Sequence, residues 1–280
     1  FANYVDFENY QIENYFSEVE SITIYKATDE TTGKIYALKT IKSFLINDMI
    51  DFIEFLYSTP KMNGILQIKG YHLPLENEDC LSICKNIFKT QGIDLDCYTI
   101  LTDFMKNGNL GEKMDQYNKL KGNKTDINPT IRSKIIFGVA AIMKKLHANN
   151  FFKIELTNNN IFLNDKYEPV IGVLSITKYL AEQSDALTNF SNSAYIAPEV
   201  HLNDGGSFFK PSDVYSFAIF LYRMFSTTIF LSRSASNLQQ FIQRICNDDR
   251  PVKPHNIPEN YWNLINKCWL NNPIERPTFD

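Results

Sequence analysis

Nowhere is this 280-residue chain apolar for long enough to cross a bilayer. Its most apolar segments, Phe137 to Met143 and Phe217 to Tyr222, fall far short of the roughly 20 residues a spanning helix needs. No membrane span is expected, and no signal-type segment opens the chain. A basic block is missing too. With 28 Lys and Arg against 32 Asp and Glu, the net charge is −4, and nothing tracks a phosphate backbone, so nucleic acid is not an expected partner. Cysteine is scarce: Cys80, Cys84, Cys97, Cys246 and Cys268 make an odd set of 5. Cys80-x-x-x-Cys84 has no histidine nearby, so a zinc site is not expected, and reduced thiols in a cytoplasmic setting are. With 44 % hydrophobic and 21 % charged residues, the composition is that of a globular protein, which excludes a disordered or fibrous chain. The chain starts at Phe1 and not at methionine, from which a fragment of a longer protein is expected. Internal repeats are absent, and the only low-complexity run is Asn158-Asn159-Asn160.

What is present divides in two. Tyr15 to Phe16, Thr23 to Ala27 and Lys34 to Ile41 read as short strands, the last two joined by the polar turn Asp29 to Gly33. Asn47 to Ser58 carries Met49, Ile50, Ile53, Phe55 and Leu56 at helical spacing and is stopped by Pro60. Strand character resumes at Gly64 to His72 and Tyr98 to Met105, around a polar loop at Glu76 to Asp79. Beyond Asn107 the pattern is helical. Ile131, Ile135, Ile136, Val139, Ile142, Met143 and Leu146 recur at helical intervals behind Asn128-Pro129, a capping residue with proline at the first helical position. Val214 to Phe225 is apolar on nearly every face and reads as buried all round. The expectation is an α+β chain with a β-rich lobe over 1–105 and a helical lobe over 106–280.

Six strings then occur in order: Tyr36-Ala37-Leu38-Lys39, Ile100 to Met105, Asn160-Ile161-Phe162-Leu163, Ala197-Pro198-Glu199, Ser212 to Phe217, and Cys268-Trp269 with Asn272 to Thr278. Their identity and spacing resemble the protein kinase superfamily, in wording closest to its tyrosine-kinase-like branch. The resemblance implies a two-lobed fold with a small antiparallel sheet and one helix in the first lobe. It implies that Lys39 holds nucleotide phosphates, that Thr102 is the gatekeeper of a hinge including Asp103 and Met105, and that Ala37 and Phe162 sandwich adenine. Asn160 falls at a metal-binding position, although asparagine before a strand is also a turn former. Lys39 has its own plain reading as a strand lysine whose stem covers apolar surface. For the carboxylate partner of Lys39, Glu54 is the nearest candidate, ungapped spacing points to Ile53, and Asp51 is a weaker option. Glu199 and Arg276 resemble a buried ion pair, and Asp213 resembles the acceptor of catalytic-loop backbone hydrogen bonds.

Other positions depart from that pattern. The glycine-rich loop falls on Ser17 to Ile24, with Ser17, Val19 and Ile22 in the glycine places, and Glu18 and Glu20 add negative charge there. The His-Arg-Asp triplet falls on Lys153, Ile154 and Glu155, and the principal metal ligand on Val173, which has no oxygen. On these grounds the expectation is not an enzyme but a pseudokinase, a signalling scaffold that binds protein partners, an active kinase being one such partner. No cofactor is required in this reading, and adenine nucleotide binds without magnesium. Two alternatives stand beside it: a residual ATP-dependent kinase using Glu155, and a structural module whose cleft is filled by Val19, Ile22 and Val173. His147 is expected to stabilise the end of its helix. Thr188, Ser191, Ser193 and Tyr195 are candidate phosphate acceptors, with ordinary polar loop residues as the plain reading.

Overall fold

The computed structural model describes residues 3–4, 9–19, 22–42, 61–72, 97–120, 127–152, 156–172, 193–202, 209–226 and 236–280. Described residues through Met105 form one compact unit, and those from Lys106 onward form another.

The first unit is a six-stranded sheet. Its strands are β1 (Asn3–Tyr4), β2 (Tyr10–Val19), β3 (Ile22–Asp29), β4 (Ile35–Lys42), β5 (Ile68–His72) and β6 (Cys97–Asp103), in the order β1-β5-β6-β4-β3-β2. All neighbours are antiparallel except β1 and β5. β2 is far longer than the Tyr15 to Phe16 run expected. It is an edge strand whose residues Gln11 and Glu13 are exposed, so it has little apolar signature, and its pairing shifts register between Glu13 and Ser17. Gly64 to Gln67 lie outside β5, and Phe104 and Met105 outside β6. On one face Tyr25, Ala27, Leu38 and Leu101 form a core backed by Tyr10, Ile12 and Tyr36.

The polar turn before β4 forms as expected. Asp29 Oδ1 accepts from Thr31 N at 2.8 Å, Thr31 Oγ1 at 2.6 Å and Thr32 N at 3.1 Å, and Gly33 takes the left-handed φ of +68° that the turn requires. The hydrogen bonds from Thr31 and Thr32 hold the Asp29 carboxyl at about 2.

In the second unit the described helices are α1 (Leu110–Leu120), α2 (Pro129–Ala148), α3 (Pro198–Leu202), α4 (Lys210–Arg223), α5 (Leu238–Cys246) and α6 (Glu259–Cys268), with a hairpin of β7 (Ile161–Leu163) and β8 (Pro169–Ile171). α2 starts where its sequence places it: Asn128 Oδ1 accepts from Thr130 N at 2.9 Å, and Pro129 follows. α4 is buried at every residue from Ser212 to Tyr222, which its all-round apolar sequence requires. The result is the expected α+β fold, a β-sheet unit and a mainly helical one.

His147 lies in the last turn of α2, where it was expected, and has a further contact that the sequence reading did not give. It is buried, and its Nε2 lies 2.8 Å from Asp213 Oδ2, so it joins α2 to α4 inside the unit. The Asn47 to Ser58 helix, the Glu76 to Asp79 loop and Cys80-x-x-x-Cys84 lie outside the described residues.

Candidate functional site

Strand alternation places the first group of residues. Ala37 pairs with Thr102 across β4 and β6, Lys39 pairs with Ile100, and on the other side of β4 Ile24 pairs with Lys39. Residues opposite each other share a face, so Ala37, Lys39, Thr102, Ile100 and Ile24 stand on the side away from the Tyr25–Leu38 core. Ala37 and Thr102 are buried, and the Thr102 hydroxyl makes no hydrogen bond among the described residues. Lys39 is partly buried, and loss of water around its ammonium pulls its pKa down to about 8.

Asp103 ends β6 with its carboxylate turned to two lysines, Lys34 Nζ at 3.1 Å and Lys69 Nζ at 3.1 Å. The sequence reading missed this bridge, which joins β6 to the loop before β4 and to β5. Met105 lies two residues beyond, half-buried. In the segment in the glycine-loop place, Ser17 to Ile24, Val19 at the end of β2 pairs with Ile22 at the start of β3, and Glu20 and Ser21 lie outside the described residues.

The second group surrounds the β7–β8 hairpin. Asn158 to Asn160 make one 3₁₀ turn, with Asn160 N donating to Thr157 O at 3.0 Å, and Ile161 then enters β7. Asn158 is buried, and its Nδ2 donates to Met114 Sδ on α1 at 3.2 Å. Phe162 pairs with Val170 and bridges to Asn109. Beyond the last ladder pair, Ile161 with Ile171, Gly172 N donates to Asn160 O at 2.7 Å. The Asn160 carboxamide oxygen takes the place that a Cβ at position 172 would occupy. Gly172 was not singled out in the sequence, because the signal for it is a cross-strand register.

A metal does not fit this donor set. At the hairpin end the one oxygen-bearing side chain of the pair is the neutral carboxamide of Asn160, packed on Gly172, and the next residue is Val173, which has no donor. Among the described residues no group of three or more His, Cys, Asp and Glu is placed to hold a metal ion. Lys153, Ile154, Glu155, Val173, Glu54 and Asp51 lie outside the described residues, as do Thr188 and Ser191. Ser193 and Tyr195 are buried, which leaves neither side chain presented to a modifying enzyme; the Tyr195 backbone carbonyl accepts from Ser216 Oγ at 2.6 Å.

The ion pair foreseen from the sequence is present. Arg276 donates to Glu199 from both guanidinium nitrogens, at 2.7 Å and 2.8 Å, to Leu270 O from Nε at 2.8 Å and to Pro211 O at 2.9 Å. Ser212 Oγ adds a bond to Glu199 at 2.9 Å. Burial alone raises the Glu199 pKa, but the bonds from Arg276 and Ser212 outweigh it and hold the carboxyl below its ordinary value.

Residues 80–280 match the family model described as protein tyrosine and serine/threonine kinase. The chain is similar to a probable serine/threonine-protein kinase, roco9, of Dictyostelium discoideum, at 32 % identity over 71 % of this chain and 6 % of that protein. It is also similar to two dual specificity protein kinases of the same organism, zakA at 30 % over 64 % of this chain and zak2 at 29 % over 64 %, covering 24 % and 31 % of their lengths. The chain therefore spans less than a third of each of these curated relatives. These matches overturn the expectation of a non-enzyme. Val173 and Glu155 are departures at single positions, whereas the family match runs over residues 80–280, which contain them.

Proposed function

The chain belongs to the protein tyrosine and serine/threonine kinase family, and from that premise we propose that it is an ATP-dependent protein kinase of the tyrosine-kinase-like branch, phosphorylating protein hydroxyls. What supports the reading is the family match over residues 80–280, which takes in both Glu155 and Asn160, together with relatives described as serine/threonine or dual specificity kinases.

In this reading Ala37 and Phe162 hold adenine, backbone groups of the hinge between Thr102 and Met105 pair with it, and Lys39 meets the phosphates. The acceptor hydroxyl of a serine, threonine or tyrosine attacks the γ-phosphorus. The new P–O bond forms as the bond from that phosphorus to the bridging oxygen of ADP breaks, and the hydroxyl proton passes to the Glu155 carboxylate. A glutamate performs this step one methylene farther out than an aspartate, and a misplacement of about 1 Å costs on the order of 10²-fold in rate. Turnover is therefore expected below the roughly 1–100 s⁻¹ of protein kinases. No step runs through a metal held by the protein.

The test is transfer of labelled γ-phosphate from ATP to the chain itself and to a mixed peptide library. Transfer is expected from the unmodified chain, and Glu155→Gln and Lys39→Met are each expected to remove it. No transfer by the unmodified chain, or transfer that survives Glu155→Gln, overturns the reading.

A further inference from the structure

Asparagine is followed directly by glycine at two places in the sequence, Asn63-Gly64 and Asn107-Gly108. Such a pair can cyclise, because the glycine nitrogen has no neighbouring side chain to hinder its attack on the carboxamide carbon. Both glycines have a positive φ, +92° at Gly64 and +67° at Gly108, so backbone conformation does not separate the two pairs. Their hydrogen bonds do.

Asn63 and Gly64 are the central residues of a turn closed by Ile65 N donating to Met62 O at 3.2 Å. Gln67 Nε2 braces the flanking carbonyls, Met62 O at 3.4 Å and Ile65 O at 2.9 Å, and touches neither residue of the pair. Asn63 is exposed. Among the described residues neither its carboxamide nor the Gly64 N–H makes a hydrogen bond, so none has to break for the two groups to meet. Asn107 is held. Its Nδ2 donates to Asn164 O at 2.7 Å, and Leu163 N donates to Gly108 O at 3.0 Å. Asn164 is itself fixed, its Oδ1 accepting from Lys166 N and Glu168 N at 2.9 Å each. Turning the Asn107 carboxamide onto Gly108 N breaks the bond to Asn164.

We infer that Asn63 is a site of spontaneous modification, converting to aspartate and isoaspartate in the folded chain, while the fold protects Asn107. The Gly64 nitrogen, having lost its proton to base, forms a bond to Asn63 Cγ. The Cγ–Nδ2 bond breaks, and ammonia leaves with a proton from water, giving a succinimide. Water then opens the ring at either carbonyl. Breaking the new bond to Cγ gives aspartate, and breaking the original peptide bond gives isoaspartate, whose main chain runs through Cβ and Cγ. Either product puts a carboxylate on the turn. The second also lengthens the main chain just before Ile65 and Leu66, both buried in the first unit.

The test compares rates in the full 280-residue chain, folded and in denaturing urea, in one mildly alkaline buffer. Peptide mapping by mass spectrometry follows both products at each position, and methylation by an isoaspartyl methyltransferase identifies the isoaspartyl form. In urea the two pairs are expected to convert at similar rates. In the folded chain Asn63 is expected to keep close to its urea rate, whereas Asn107 slows on the order of tenfold, its barrier carrying the broken bond to Asn164. Asn63→Gln is expected to remove the product at 63, because glutamine must close a larger ring, and to leave Asn107 as it was. A folded-to-urea rate ratio at Asn63 no larger than that at Asn107 overturns the inference, as does an absence of product at Asn63 in the folded chain.

Discussion

Lys39 stands on a sheet face among Ala37, Thr102, Ile24 and Ile100, and its environment sets its protonation. Burial disfavours the charged form and brings its pKa from 10.5 to about 8. The sign of the consequence follows from proton counting. Below about pH 8 the ammonium is charged in both the folded and unfolded chains, and the desolvation cost is carried in full. Between about 8 and 10.5 the unfolded chain binds more protons than the folded one, so this residue's contribution to stability rises with pH. Lys39→Met removes the titration. The melting temperature of the variant minus that of the parent is expected to be larger at pH 7 and to shrink by pH 10. A difference that stays constant across that range would show that Lys39 titrates as in water.

Elements are held by contacts that propensity does not foresee. Glycine inside a helix normally costs up to about 1 kcal/mol relative to alanine, so Gly138 in the middle of α2 invites replacement. The structure opposes it, because a Cβ at 138 would lie 2.5 Å and 2.7 Å from the Pro169 ring at the start of β8. A proline ring has little freedom to move aside, so helix and hairpin would have to separate. Gly138→Ala is therefore expected to lower the melting temperature despite its better helix propensity. Adding Pro169→Ala is expected to recover much of the loss, since the two sites are coupled through one contact. A stabilising Gly138→Ala would mean that helix propensity, and not this packing, governs the position.

Across the helical unit, one clamp gathers segments distant in the chain: Arg276 reaches Glu199 of α3, Pro211 of α4 and the carbonyl of Leu270. Arg276 is 5 % exposed, so removing Glu199 leaves a buried cation without its main partner, which costs about 3–5 kcal/mol. Glu199→Ala is expected to lower the urea midpoint by a corresponding amount with little change in slope, and a loss under about 1 kcal/mol would place the pair among solvent-screened bridges. The folded Glu199 pKa lies below its ordinary 4.5, so this contribution is full at neutral pH and is lost as pH falls through the folded value. In Glu199→Gln that acid-dependent loss is expected to disappear.

The identity of that pair was legible in the sequence, as were the buried helix α4, the Asn128 cap and the strands carrying Ala37, Lys39 and Thr102. The pair came from the family resemblance, whereas the helix, the cap and the strands follow from residue type and short-range spacing, because a period of two or of about 3.6 assigns faces without reference to the rest of the chain. Single-residue chemistry was a poorer guide to activity. A missing carboxylate at Val173 suggested no enzyme, and similarity along the whole segment corrected it. Only the tertiary structure joined His147 to Asp213, clamped Asp103 between Lys34 and Lys69, and laid Asn160 on Gly172. Those contacts depend on strand register and on helices meeting 66 residues apart in the chain, distances at which no local periodicity carries information.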